Sequence, residues 1–155
     1  MELRVAPIGD GSIDELRRMV VDARAWARGE RGGAALLVDL GVGGDGVDVS
    51  TWIDGDRSWF VGIASIDDVP VGYVVGRWTD GVDERVATVR EVWVDPEARR
   101  VGAGEALLSA AIAWAIAEDA VAIDAFALPG ARESKNLFER LGLTARCLTV
   151  RRSLR

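Results

Sequence analysis

Behind Ser12, apolar residues recur at helical spacing. Ile13, Leu16, Val20, Ala23 and Ala27 share one face, which predicts an amphipathic helix over residues 13–28. Ser12-Ile13-Asp14-Glu15 has the form of a capping box, with Ser12 accepting from the first turn and Glu15 reaching back. Ahead of it, LRVAP reads as a short strand. Beyond it, AALLVDL reads as a short second helix, and the glycine- and aspartate-rich GVGGDGVDVSTWIDGD as a mobile loop. That loop lacks the glutamate spacing of a calcium site.

From Trp59 the period shortens to two. WFVGIASI, a turn at Asp67-Asp68-Val69-Pro70 and VGYVVGRW predict an antiparallel hairpin. A further turn, Thr79-Asp80-Gly81, leads to a third long strand, RVATVREVWV, ending at Asp95-Pro96. A turn containing Gly102 and Gly104 opens an apolar helix that ends near Ala117. VAIDAFAL then predicts a buried strand, ARESKNLFERL a helix closed by Gly142, and LTARCLTVRRSL a last strand. The order is strand, helix, short helix, three meander strands, helix, strand, helix, strand. It describes one α/β domain over residues 1–155, a mixed sheet with helices on its faces.

Composition narrows the chemistry. A net charge of −6 on 155 residues argues against nonspecific binding to nucleic acid or an anionic membrane. The sequence holds no histidine and one cysteine, Cys147. Histidine-based zinc sites, Ser-His-Asp triads, Cys-His pairs and internal disulfides are therefore excluded. Cys147 alternates with polar residues on the last strand and reads as a small core filler. MELRVAPIGD has no apolar signal core, and ALLSAAIAWAIA is too short to span a bilayer, so the expected compartment is the cytoplasm.

The glycine turn carries two readings: a tight corner into a core helix, or an anion cradle. Glycine allows positive φ and close approach of a ligand to the backbone. The first amides of a helix lack internal partners and suit a pyrophosphate, and Arg99 and Arg100 supply fork-shaped donors. No Walker string is present. The dinucleotide fingerprint fails at Leu107, where a third small residue is required, although Asp124 lies at a distance suited to a ribose.

The run V-W-V-D-P-E-A-R-R-V-G-A-G-E-A-L-L (92–108) resembles the acetyl-CoA motif of the GNAT N-acetyltransferase superfamily, Q/R-x-x-G-x-G/A, with Arg99, Gly102 and Gly104 at its defined positions. P-G-A-R-E-S-K-N-L-F-E-R-L-G-L (129–143) is similar to a later helix segment of that family. The likeness is specific from about residue 59 onward and architectural before it. It implies a mostly antiparallel sheet splayed between its fourth and fifth strands. The backbone of Val92, Trp93 and Val94 would hold pantetheine, with one N–H there polarising the thioester carbonyl. The amides of Arg100, Val101, Gly102, Ala103, Gly104 and Glu105 would hold the pyrophosphate. Glu105 departs from the basic or neutral residue usual there, so its carboxylate must point away. Asn136 would hydrogen-bond the cofactor, while Arg132 and Lys135 would either meet its 3′-phosphate or form a solvated helix face.

The reaction so implied moves an acetyl group from acetyl-CoA to a primary amine of a small molecule or protein, without metal. It needs a neutral amine, a stabilised oxyanion and a proton for the departing thiolate. Glu91, the acid within the strand before the motif, is the candidate base; its other reading is a salt bridge to Arg90 or Arg77. Asp124 is a lesser candidate. Many relatives place a tyrosine where this chain has Phe138, so water, Ser134 or Tyr73 would supply the proton, or the thiolate would leave bare. The alternative is an acyl-CoA-binding regulatory domain with little catalysis. Trp52 and Trp59 would line an acceptor pocket or pack in the core. Asp45, Asp48, Asp54 and Asp56 would attract a cationic amine or simply solubilise their loop. A homodimer through the last strand is a further expectation.

Overall fold

The computed structural model describes residues 1–42 and 48–155. Five strands form one sheet in the order β1 (Leu3–Pro7), β2 (Trp59–Ile66), β3 (Val69–Asp80), β4 (Arg85–Val94) and β5 (Ala122–Asp124). The first four are antiparallel, and β5 joins β4 in parallel. The α-helices are α1 (Ile13–Gly29), α2 (Gly33–Asp39), the single turn α3 (Ser50–Ile53), α4 (Ala103–Ala117) and α5 (Arg132–Arg140).

Alternation along β2, β3 and β4 makes both sheet faces apolar, and each face has its own helical cover. On one face Leu16, Met19 and Val20 of α1 pack with Val61, Ile63, Tyr73, Val75 and Trp93, joined by Val49 and Trp52. On the other, Ala103, Leu107, Leu108 and Ala111 of α4 pack with Ala64, Val74, Val89 and Phe138. Trp114 of α4 lies so close to β3 that a Cβ on Gly76 would stand 2.8 Å from its ring. The same indole stacks on Phe60 with 5.4 Å between ring centres.

The β2–β3 turn is tighter than the sequence suggests. Ile66 pairs with Val69, and both central residues, Asp67 and Asp68, take positive φ. Aspartate tolerates that conformation, which matches the twist of a two-residue hairpin. α5 ends as expected: Gly142 has φ +84°, its N–H donates to Glu139, and that of Leu143 donates to Phe138.

Four expectations are corrected. Ser12 makes no side-chain cap, because a short 3₁₀ turn over Asp10–Ser12 precedes α1 and Glu15 instead accepts from Arg18. The stretch expected as a loop contains α3, with Asp48 accepting from the N–H and hydroxyl of Ser50; the part around Asp45 lies outside the described residues. VAIDAFAL contributes only Ala122–Asp124 to the sheet, because the chain then turns away from β4, and Phe126, Ala127 and Leu128 line a cleft. LTARCLTVRRSL forms no strand, and Cys147 is exposed. Arginines fall on both of its alternating faces (Arg146 and Arg152, then Arg151), so neither can be buried against a sheet. The segment offers no C-terminal strand for two copies to share. Among the described residues no helix is long and apolar enough to cross a membrane.

Leu107, fully buried between α4 and the sheet, tests this packing. Leu107→Ala is expected to lower unfolding stability by about 2–5 kcal/mol, read from the urea midpoint at unchanged m-value.

Candidate functional site

The parallel ladder between β4 and β5 covers only Val86–Thr88. From Val89 to Val94, β4 keeps its partner on the β3 side and, among the described residues, has none on the other. Backbone groups along that edge face a cleft of about 690 Å³. Val92, Trp93 and Val94 line one wall, and Phe126, Ala127 and Leu128, leaving β5, line part of the opposite one.

The chain then crosses to α4 through a fixed turn. Asp95 donates its N–H to the Val71 carbonyl and accepts from the N–H of Glu97. Arg100 and Gly102 both take positive φ, +68° and +88°. Among the described residues, no hydrogen bond within the chain engages the N–H groups from Arg99 to Glu105. Those amides surround the positive end of a 15-residue helix, and all of these residues except Val101 line the cleft. Open amides at a helix start have the chemistry that suits an anion.

The arginines beside it differ in role. Arg99 donates from Nε to the Val94 carbonyl at 3.1 Å, and its guanidinium lies 4.6 Å from the Trp26 ring centre. It ties off the open end of β4, so its side chain braces the turn. Arg100 is exposed and reaches Glu133 at 3.4 Å. Glu105 lies 4.0 Å from Arg140, where α5 offsets its charge. On α5, Arg132, Ser134 and Asn136 line the cleft, while Lys135 does not.

Glu91 lies at the inner end of the cleft, and neither Arg90 nor Arg77 is its partner. Its Oε1 accepts from Arg24 of α1 at 3.2 Å, and its Oε2 from the Tyr73 hydroxyl at 2.8 Å. The side chains of Arg24 and Glu91 are only 5% and 11% exposed, so this is a buried pair. Sequence reading missed Arg24. The available signal was its position four residues after Val20, a charge inside the apolar stripe of α1, which demands a buried partner.

A β-bulge explains how Arg90 and Glu91 come to share a face. Val75 stands opposite Glu91 and Gly76 opposite Val89, leaving Arg90 as the extra residue. Strict alternation would send the two side chains to opposite faces. Instead Arg90 donates to the Leu40 carbonyl at the end of α2, on the same side as the Arg24–Glu91 pair.

The other candidates separate cleanly. Tyr73 is fully buried with its proton committed to Glu91, which removes it as a donor to a ligand in the cleft. Phe138 is 7% exposed and packs with the α4 core. Asp124 is clamped by both Nε and Nη2 of Arg146, at 3.0 and 2.7 Å, and is structural. Asp56 accepts from Ser58, Asp54 is exposed, and Trp52 and Trp59 line a second pocket.

Comparison with known proteins places this geometry. Residues 42–143 match the family described as acetyltransferase (GNAT). No curated protein matches. The solved structures that share the fold include the following three. A transcriptional regulator from Bacillus halodurans is 16% identical with a TM-score of 0.72, covering 99% of this chain and all of its own. A ribosomal-protein-alanine N-acetyltransferase from Brucella melitensis is 16% identical with a TM-score of 0.67, covering 99% of this chain and all of its own. AAC(6')-Iy, bound to a CoA-containing bisubstrate analogue, is 16% identical with a TM-score of 0.67 and 99% of each chain covered. At these identities the likeness concerns the fold.

The buried cluster has a spectroscopic signature, because Tyr73 is the sole tyrosine. Burial, then the Glu91 charge and its hydrogen bond, hold the phenol well above its ordinary range, with Arg24 pulling the other way. The folded protein keeps this proton at a pH where the unfolded chain, titrating near about 10, has lost it. The stabilisation is therefore complete below that pH and is lost as pH rises above it. Alkaline titration should show no tyrosinate absorbance near pH 10 while the protein stays folded, and Tyr73→Phe should flatten the alkaline loss of stability. Ionisation at the ordinary pH in the folded protein would contradict the cluster.

Proposed function

The chain belongs to the GNAT acetyltransferase family, and on that premise we propose that it moves an acetyl group from acetyl-CoA to a primary amine of a small molecule or peptide. The observation that carries the reading is the run of unengaged amides from Arg99 to Glu105 beside the open edge of β4. The residues present suit CoA. An anion cradle at a helix start suits a pyrophosphate, and a strand with one free edge suits the amide-bearing pantetheine arm. Acetyl-CoA, when bound, supplies the activated acyl group.

The chain's own residues have the following roles. Amides of Arg100, Val101, Gly102, Ala103, Gly104 and Glu105 hold phosphate oxygens, and the Val92–Trp93–Val94 backbone aligns the arm. Asn136, exposed on α5 and lining the cleft, adds a side-chain hydrogen bond. Glu91 takes the amine proton, directly or through a water that it orients, while Arg24 and Tyr73 hold its carboxylate in place. The amine nitrogen forms a C–N bond, the thioester C–S bond breaks, and the thiolate takes a proton from water or from Ser134. The bisubstrate complex of AAC(6')-Iy supports the pairing of CoA with an amine in this fold. Phe138 favours a second reading, a CoA-binding domain with little turnover, because no hydroxyl stands at that position.

Acetyl-CoA is expected to raise the melting temperature, and Gly102→Val to weaken its binding at least about tenfold, since a β-branched residue resists positive φ. Stabilisation by NAD and not by acetyl-CoA would overturn the proposal. Glu91→Gln should lower amine kcat/KM about 10²- to 10⁴-fold with acetyl-CoA affinity retained. An unchanged rate across the pH range removes Glu91 from the mechanism. Acetyl-CoA binding without thiol release across an amine panel would favour the second reading.

A further inference from the structure

Next to Glu91, on the side away from the glycine turn, lies a second pocket of about 360 Å³. It adjoins the main cleft through Arg24, Leu40 and Arg90, which line both. Three arginines and two tryptophans line it: Arg24, Arg77, Arg90, Trp52 and Trp59. The guanidiniums of Arg77 and Arg90 stand 4.9 and 5.7 Å from the Trp59 ring centre, and that of Arg24 stands 5.7 Å from Trp52.

Of these three guanidiniums, one is held in an ion pair among the described residues. Arg24 has Glu91, but among the described residues neither Arg77 nor Arg90 forms an ion pair. Asp48 lines the pocket with an exposed carboxylate that accepts from Ser50, and Asp56, which accepts from Ser58, acts on Arg77 from beyond ion-pair distance. Among the described residues, Nε of Arg24, in a residue 4% exposed, and Nε of Arg77 are both buried without a hydrogen-bond partner. Burial, and then the Arg77 charge, push the Arg90 guanidinium below its ordinary value, with Glu91 pulling the other way. Gathering like charges against a low-dielectric wall is unfavourable unless an anion joins them.

We propose that this pocket holds a carboxylate of the acceptor, so that the substrate is an amine that also carries a carboxylate, its amine at Glu91 and its acid group between Arg77 and Arg90. Guanidinium forks match a planar carboxylate in two-point contact, and Trp52 and Trp59 cover the carbon chain between the two ends. The inference rests on the acetyl-transfer reading for the amine end, while the anion pocket itself is independent of it.

The test uses matched amines that differ only in the acid group: γ-aminobutyrate against propylamine, ε-aminocaproate against pentylamine, and phenylalanine against phenethylamine. At saturating acetyl-CoA, the carboxylated member of at least one pair should have the higher kcat/KM by about tenfold or more, the scale of a charge-assisted contact. Arg77→Gln and Arg90→Gln should each bring that ratio toward one through KM, with acetyl-CoA affinity retained. A ratio near one for all pairs in the unaltered protein, or an undiminished ratio in both variants, overturns the proposal. So does a preference confined to phosphoethanolamine over ethanolamine. If no amine is acetylated although acetyl-CoA binds, the transfer reading fails, and the pocket is read by tryptophan fluorescence during glutarate titration. A saturable change lost in Arg77→Gln sustains the anion site, and no change overturns it.

Discussion

Along Val89–Val94, β4 is bonded on one edge only, in the middle of a sheet that covers both of its faces with helices. Backbone groups on such an edge cost about 1–3 kcal/mol each if buried without partners, so the fold must leave room there for water or a ligand. That constraint shapes the neighbours. β5 ends after three residues, and its continuation forms part of the opposite wall. Arg99 satisfies the Val94 carbonyl at the end of the edge, and Asp95 anchors the turn to Val71. The two glycines of the turn are then required for different reasons. Gly102 supplies a left-handed conformation, whereas a Cβ on Gly104 would stand 3.2 Å from Leu137 of α5. Gly104 is therefore small partly because α5 packs onto the helix start.

A single extra residue in β4 organises the other end of the cleft. The bulge at Arg90 directs two consecutive charged side chains to the α1–α2 face. Burying Arg24 and Glu91 there carries a desolvation cost that their attraction alone offsets poorly, and the Tyr73 hydroxyl on the second carboxylate oxygen lowers it. Such a pair contributes little net stability. It does hold a carboxylate in one rotamer at the inner end of a cleft, which is worth more to a site than to a core.

Periodicity made α1, the β2–β3–β4 meander, α4 and α5 legible, because each buries an apolar stripe that local spacing reveals. The strand–turn–helix around Gly102 and Gly104 was legible too, since its glycines and the apolar strand before it are contiguous. The Arg24–Glu91 pair joins residues 67 positions apart, and no local pattern names such a partner, although a charge in an apolar stripe shows that one must exist. The bulge escaped because RVATVREVWV alternates well enough to look regular throughout. The capping box failed because a 3₁₀ turn claimed Ser12, and the last strand failed because strand-like composition does not supply a neighbouring edge to pair with.

The position of Phe138 bears on how protons would be handled in the proposed reaction. Its ring packs with Ala103, Leu107 and Leu108 beneath the start of α4, where a phenol hydroxyl would need a partner of its own. Phenylalanine there favours packing under the cradle over a donor in the cleft. The only tyrosine, fully buried, is bound to Glu91 on the opposite sheet face. Proton donors to a departing thiolate are then confined to groups on the exposed flank of α5 and to solvent. Ser134 and Asn136 border the cleft on that flank, so water can approach from the same side. In the proposed reaction, a site arranged in this way would separate its two proton transfers in space: one at Glu91, deep and held by Arg24, the other at the rim, where solvent would supply the proton without a dedicated acid.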